Sequence, residues 1–136
     1  MKAPGSRGFT LVEVLVTCAV VGVVAGVALP GYQAQMQQAR RSDAVAALTR
    51  LQAAQERLQA GHGIYSADLA ALQVAPRSGE GLYDLHVELT GADGYRAHAV
   101  ARADGAQAGD AACATLTLEV RRGFASIGPS ARCWNR

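Results

Sequence analysis

The chain changes its hydrophobic period twice. From Phe9 to Leu29 apolar residues run almost without interruption, and Glu13 is the one ionisable carboxylate among those 21 residues. As a helix this stretch rises about 30 Å, enough to cross the hydrocarbon core of a bilayer. From Tyr32 to Ala60 the chain lacks Gly and Pro and is rich in Ala, Gln, Leu and Arg, so the helix is predicted to continue. Ala44, Leu48, Leu51 and Leu58 recur there at helical spacing, an apolar stripe that predicts packing on a sheet. Gly61-His62-Gly63 is predicted to stop the helix, and Ser66 to Leu72 to form a short helical turn with Ser66 as its N-cap.

Period two takes over at Leu82. Tyr83, Leu85, Val87 and Leu89 alternate with Asp84, His86 and Glu88; after Gly91-Ala92-Asp93-Gly94, Tyr95, Ala97 and Ala99 alternate with Arg96 and His98. This predicts two antiparallel strands joined by a turn. The register that aligns both apolar faces sets Leu89 opposite Tyr95, Glu88 opposite Arg96 and His86 opposite His98. A third strand is predicted over Cys113 to Val120, burying Leu116, Leu118 and Val120, and Asp104 to Asp110 is a Gly/Ala-rich loop between the second and third. The predicted fold class is α+β: a long N-terminal helix, transmembrane in its first half, packed on an antiparallel sheet of about three to four strands.

At 136 residues the chain holds one domain, which excludes a multidomain enzyme. From Gly31 onward 11 Arg face 10 Asp plus Glu, a balance that disfavours a globally basic nucleic-acid binder. Charge is nevertheless uneven, because Arg121, Arg122, Arg132 and Arg136 meet no acid after Glu119. The N-terminus does not read as a secretory signal, since no Ala-x-Ala site follows the apolar run. Lys2 and Arg7 would hold the start of a spanning helix in the cytoplasm, although Arg40 and Arg41 beyond its far end blur the asymmetry.

Glu13 argues against a plain anchor. A carboxylate one turn into a spanning segment costs a few kcal/mol unless a cation pairs with it. No Lys or Arg lies between Phe9 and Pro30, so the candidate partner is an α-amino group freed by cleavage between Gly8 and Phe9. A neighbouring subunit shifted along the helix axis would bring its new N-terminus level with this carboxylate.

Gly8-Phe9-Thr10-Leu11-Val12-Glu13-Val14-Leu15, followed by Ala28-Leu29-Pro30-Gly31-Tyr32, closely resembles the N-terminus of type IV pilins and pseudopilins. The resemblance implies a leader peptide over residues 1–8, cleavage by a prepilin peptidase after Gly8, N-methylation of Phe9, and a filament-core helix over 9–30. It implies that Glu13 meets a neighbour's N-terminus during assembly, and that the helix around Gly22, Gly26, Pro30 and Gly31 partly unwinds in the filament. Residues 31–136 would be the exported globular domain with the pilin fold. The later stretch, with Ala108-Gly109-Asp110, Cys113-Ala114-Thr115-Leu116-Thr117-Leu118 and Cys133-Trp134, resembles PilE-type minor pilins. The implied partners are other major and minor pilins, the prepilin peptidase, an assembly platform in the inner membrane, and membrane lipid before assembly. The implied localisation is the inner membrane, single-pass with a cytoplasmic N-terminus, and afterwards the cell-surface pilus.

Three cysteines allow at most one intramolecular pair. Cys18 sits in the apolar helix and reads as a small buried hydrophobe, whereas Cys113 and Cys133 lie in the exported part, where disulfides persist. They are expected to be bonded, and the resemblance implies the same bridge. His62, His86 and His98 form no recognisable metal motif, no cofactor is implied, and no Ser, His and Asp stand at a familiar catalytic spacing. The reading is a non-enzymatic pilus subunit, a minor pilin that primes or joins assembly. The alternatives are a DNA-uptake pilin contacting phosphates through Arg121, Arg122, Arg132 and Arg136, a major pilin, or a type II secretion pseudopilin; the Cys113 to Cys133 loop disfavours the last.

Overall fold

The computed structural model describes residues 8–136. Lys2 and Arg7, and all of the expected leader except Gly8, lie outside the described residues. The chain divides into two compact units, residues 1–35 and 36–136.

In the first unit the helix α1, Leu11–His62, begins. Thr10 precedes it, and its Oγ1 accepts the Glu13 N–H at 3.3 Å. This is the N-cap half of a Thr-x-x-Glu capping box. Every side chain from Phe9 to Leu29 is exposed. That includes Cys18, expected to be a buried hydrophobe; among the described residues nothing covers it. Pro30 lies inside the helix, and Gly22, Gly26 and Gly31 lie in the same helical run. A Cβ at any of the three glycines would meet nothing within 4 Å.

The second unit packs the rest of α1 on a four-stranded antiparallel sheet: β1 (Tyr83–Gly91), β2 (Gly94–Ala101), β3 (Thr115–Arg121) and β4 (Phe124–Gly128), in that spatial order. The β1–β2 register matches the sequence expectation, with Leu89 opposite Tyr95, Glu88 opposite Arg96 and His86 opposite His98. Ala44, Ala47, Leu48 and Leu51 of α1 join Tyr83, Leu85, Tyr95, Ala97, Ala99, Leu116 and Leu118 in the core. Methyl groups at Ala97 and Ala99, on an inner strand, leave room there for the large side chains of their neighbours. The apolar alternation of β1 fades toward its turn, where Leu89 is exposed.

Two local features differ from or add to the expectation, and one is met. The third strand begins at Thr115 rather than Cys113, because Ala111–Cys113 forms a 3₁₀ turn that carries the Cys113 sulfur to Cys133. Ser66 to Leu72 makes the expected single helical turn, with the Leu72 N–H donating to the Asp68 carbonyl at 3.2 Å. Ser66 Oγ accepts the Asp68 N–H, Asp68 Oδ1 accepts the Ala70 N–H, and Gln73 closes it in the left-handed region at φ 56°. The fourth strand arises from Phe124 to Gly128, a stretch whose exposed face gives no alternation.

Polar groups on α1 anchor the loops that flank the sheet. The buried Gln55 amide accepts the Ser66 N–H at 3.0 Å and donates to the Ser66 carbonyl at 2.6 Å. Asp43 Oδ1 accepts the Glu80 N–H at 3.0 Å. On the other flank Arg41 makes two hydrogen bonds to Asp110, at 2.7 and 2.8 Å. Beside it Gln107 Nε2 donates to the Tyr83 hydroxyl at 2.9 Å and to the Gln37 carbonyl at 3.2 Å.

Candidate functional site

The outward face of the sheet is charge-compensated. Arg96 donates from Nη1 to Glu88 at 3.0 Å and from Nη2 to Glu119 at 3.0 Å, and Glu119 also accepts from Arg121. These charges form a ladder across β1, β2 and β3, and the Arg96 hydrogen bond is the main cause that holds the Glu119 carboxyl below its ordinary value. His98 Nε2 lies 3.5 Å from Glu88. A face of alternating sign offers little net attraction to a polyanion.

The four C-terminal arginines do not form one cluster. Arg121 and Arg122 stand at the far end of β3, whereas Arg132 precedes Cys133, which is bonded to Cys113 just before β3 begins. Thr115 to Arg121 is seven residues of strand, six steps that span about 20 Å. The C-terminal turn also sits against the start of the second unit, since Asn135 Nδ2 donates to the Gln38 carbonyl at 3.2 Å. Arg132 and Arg136 therefore belong to one end of the domain, and Arg121 and Arg122 to the other. Trp134 is buried, with its Nε1 donating to the Gly128 carbonyl at 2.9 Å, so its ring is not available to a ligand.

The Arg122 end is built from two hairpin tips. Arg121 pairs with Phe124, leaving Arg122-Gly123 as a two-residue loop with φ of 48° and 81°. Positive φ at both central positions is the type I′ pattern, normally filled by Asn, Asp or Gly. An Arg at the first position is strained by on the order of 1 kcal/mol. Its backbone N–H donates to the Asp93 carbonyl at 2.8 Å, tying this tip to the β1–β2 turn. The guanidinium forms no ion pair among the described residues, and the neighbouring Phe124 is 82% exposed, so charge and an aromatic face are presented together.

Gly94 in the adjoining turn allows this close packing. A Cβ there would lie 2.6 Å from the Val120 carbonyl oxygen and 2.8 Å from Thr90 Oγ1. At the other end of the sheet the Cys113–Cys133 bond closes as expected, with a sequence separation of 20. It pins the C-terminal turn to the core beside Trp134.

In the N-terminal segment, Gly8 and Phe9 are exposed and precede the helix, and Glu13 occupies the first turn of α1. The positive end of the helix macrodipole favours a carboxylate at this position. Sequence reasoning named Glu13 for its lack of a cation and overlooked this local support, although Thr10 three residues earlier was the signal.

Residues 30–117, more than half of the chain, match the family described as type IV minor pilin ComP, DNA uptake sequence receptor. Residues 4–29 match the prokaryotic N-terminal methylation motif. The chain belongs to the type IV minor pilin ComP family.

Relatives of this pilin include the type IV major pilin protein PilE of Neisseria gonorrhoeae, 36% identical over 72 residues that cover 53% of this chain and 43% of that protein. The fimbrial protein EcpC of Eikenella corrodens is 32% identical over 69 residues, 51% of this chain and 45% of the relative. A fimbrial protein of Neisseria meningitidis serogroup B is 46% identical over 39 residues, 29% of this chain and 23% of its own. The pilin thus spans less than half the length of each of these relatives.

Proposed function

We propose that this pilin is a non-enzymatic minor subunit of a type IV pilus that contacts DNA at the surface. It is made as a prepilin with a leader over residues 1–8, cut between Gly8 and Phe9 and methylated at Phe9. Residues 9–30 hold it in the inner membrane with the N-terminus in the cytoplasm. Assembly then pairs Glu13 with the N-terminus of a neighbouring pilin, while the weak helical segment from Gly22 and Gly26 to Pro30 and Gly31 yields to filament packing. Three glycines and a proline within ten residues lower helix propensity by several kcal/mol relative to alanine, which supports that last step. The exported domain, 31–136, carries the ligand surface.

The observation that carries the DNA reading is the match of residues 30–117 to a family described as a DNA uptake sequence receptor. Within this chain the reading is supported at the β3–β4 tip, where the strained Arg122 and the exposed Phe124 offer a guanidinium for phosphate and a ring for stacking. A gel shift of the detergent-solubilised chain with a 30-base-pair duplex tests it. A salt-sensitive shift is expected, weakened when Arg121 and Arg122 are changed to Gln and retained when Arg132 and Arg136 are. No shift from the unmodified chain at low salt would sink the reading.

A major-subunit role is the second reading, favoured by the names of relatives such as the gonococcal PilE. The copy ratio of this chain to the most abundant pilin in sheared filaments separates the two. A trace component supports the minor subunit, and dominance supports the shaft subunit.

A further inference from the structure

The two edges of the sheet are finished differently. β1 is guarded along its start, where the Leu85 N–H donates to the Pro76 carbonyl at 2.8 Å, the Ser78 N–H donates to the Tyr83 carbonyl at 2.9 Å, and Arg77 bridges to Asp84. β4, at the opposite edge, has no such cover among the described residues. Its Arg121–Phe124 pair closes a two-residue loop and is therefore hydrogen-bonded, and antiparallel pairing alternates from there. Phe124, Ser126 and Gly128 thus turn their main-chain groups to β3, while Ala125 and Ile127 turn theirs outward. Neither of these two has a main-chain partner on that outer side among the described residues. An open edge is ordinarily protected by charge, Pro or a bulge. From Gly123 to Ala131 there is no charged residue, and Pro129 comes only after the strand.

The edge is complementary to itself in one register. A two-fold axis through Ser126 sets Ala125 opposite Ile127 of a second copy, and Ile127 opposite that copy's Ala125. Both become hydrogen-bonded pairs, with about four new main-chain bonds between the copies. Ser126 then meets its own counterpart, and Phe124 meets Gly128. Phe124, Ser126 and Gly128 share the outward face of the sheet with their partners Arg121, Glu119 and Thr117. The Phe124 ring, 82% exposed in the single chain, would lie over a glycine, a favourable pairing at a sheet edge. Gly128 is fixed as glycine from its own side as well, because a Cβ there would stand 2.6 Å from Thr117 Oγ1. No like charges oppose each other along the contact.

We infer that β4 is a self-pairing edge, which joins the sheets of two copies of this chain into one continuous sheet about Ser126. The axis stands perpendicular to the sheet, so the α1 segments packed on it, residues 36–62, run in opposite directions in the pair. Copies held side by side in one membrane all point the same way and cannot pair, which is how an unguarded edge is tolerated there. The pair therefore links copies on filaments that meet in opposite orientation. That last step rests on the anchoring proposed above, whereas the edge and its register do not, and none of it rests on the DNA reading. A five-residue strand falls short of the roughly 800 Å² per partner of a stable complex, so a single contact is weak and is to be trapped rather than isolated.

The experiment is oxidative cross-linking of the detergent-solubilised full chain in a Cys18→Ser background. Across the axis the two Ser126 Cα atoms stand about 4.5 Å apart, within reach of a disulfide, whereas the two Ala125 residues lie diagonally and beyond it. Ser126→Cys is expected to give covalent dimer about tenfold faster than Ala125→Cys. Both positions are exposed, so neither substitution should move the melting temperature. A second pairing reads the same register without Ser126: a mixture of Ala125→Cys chains with Ile127→Cys chains should cross-link to each other, and each alone should not. Equal rates for Ser126→Cys and Ala125→Cys would overturn the pair, since association through the apolar helix or by random collision has no register at β4. Absence of the mixed Ala125/Ile127 product would overturn it too. So would a Ser126→Cys cross-link to a different pilin, in place of the self-pair, in filaments sheared from the cells that make it.

Discussion

Arg41 on α1 and Asp110 at the end of the β2–β3 loop form a two-pronged ion pair, with side chains 11% and 3% exposed. The pair fixes a loop whose Gly/Ala-rich sequence carries no strong structural signal. The Asp110 hydrogen bond is also the main cause that raises the Arg41 guanidinium further above its ordinary value, so the cation is held in its charged form. Asp110→Ala is expected to destabilise the domain by about 3 kcal/mol, because it leaves a buried guanidinium unpaired. Replacing both residues, Arg41→Met with Asp110→Leu, should cost about 1 kcal/mol or less. Urea unfolding of the detergent-solubilised chain checks both, and equal losses would contradict the pairing argument.

Two buried tyrosines should respond in opposite directions to loss of their hydroxyls. The Tyr83 hydroxyl accepts a hydrogen bond from Gln107 Nε2, whereas Tyr95 Oη is buried with no partner among the described residues. Tyr83→Phe is expected to destabilise by about 1 kcal/mol, and Tyr95→Phe to be neutral or stabilising, since it removes an unsatisfied polar atom. Burial raises both phenols above their ordinary value of 10. A raised folded-state value adds stability that is present below pH 10 and is lost as the pH climbs toward the folded-state titration. Tyr95→Phe should therefore reduce the alkaline loss of stability above pH 10, measured by thermal melts across pH.

Glu119 gives the acid-side counterpart. Its carboxyl is held below the ordinary value of 4.5, first by the hydrogen bond from Arg96, which outweighs the opposing desolvation, and then by Arg121. A depressed folded-state value adds stability that is present above pH 4.5 and disappears as the pH falls through the folded-state titration. Glu119→Gln should flatten the stability profile between pH 4.5 and lower values, and added salt should flatten it in the unmodified chain. A profile unchanged by the substitution would contradict the ladder as a source of stability.

The helix, the hairpin and its register were legible in the sequence because one face of each is buried, which writes burial directly into the period. The register followed from Tyr83, Leu85, Ala97 and Ala99 having to share a face. The anchoring residues were harder to see. Ala44, Leu48, Leu51 and Gln55 continue one helical stripe, yet Gln55 is polar and was passed over for Leu58, which is only half-buried. Gln107 and Asp110 were hidden for a related reason, since their partners Tyr83, Gln37 and Arg41 are more than 20 residues away in sequence. The arginine set failed differently: nearness along the chain suggested one patch, and the disulfide with the length of β3 separates it into two.

Glu13 sits where two explanations meet, since the first turn of α1 supports a carboxylate locally and the proposed assembly step uses it between subunits. Glu13→Val should leave membrane insertion and cleavage intact and abolish incorporation into filaments, read by immunoblot of sheared pili against membrane fractions. Glu13→Gln keeps the capping geometry and removes the charge. Normal incorporation of the Gln variant would remove charge pairing as the assembly device.

Arg122 separates stability from binding most sharply. Its φ of 48° is a conformation that glycine adopts without strain, and its side chain makes no ion pair among the described residues. If the residue were present for the fold, Arg122→Gly would be neutral or harmful. Relief of the left-handed strain predicts a gain instead, of about 1 kcal/mol before the extra backbone entropy of glycine in the unfolded chain reduces it. The same substitution removes the guanidinium from the tip beside Phe124, so DNA affinity at low salt should fall several-fold. Arg122→Asn suits the turn with less entropic loss and is the better stabiliser, with the same loss of binding. A chain that melts higher and binds DNA less tightly would identify Arg122 as a residue retained for its ligand at the expense of the turn. Lower stability together with unchanged binding would assign it to the fold alone.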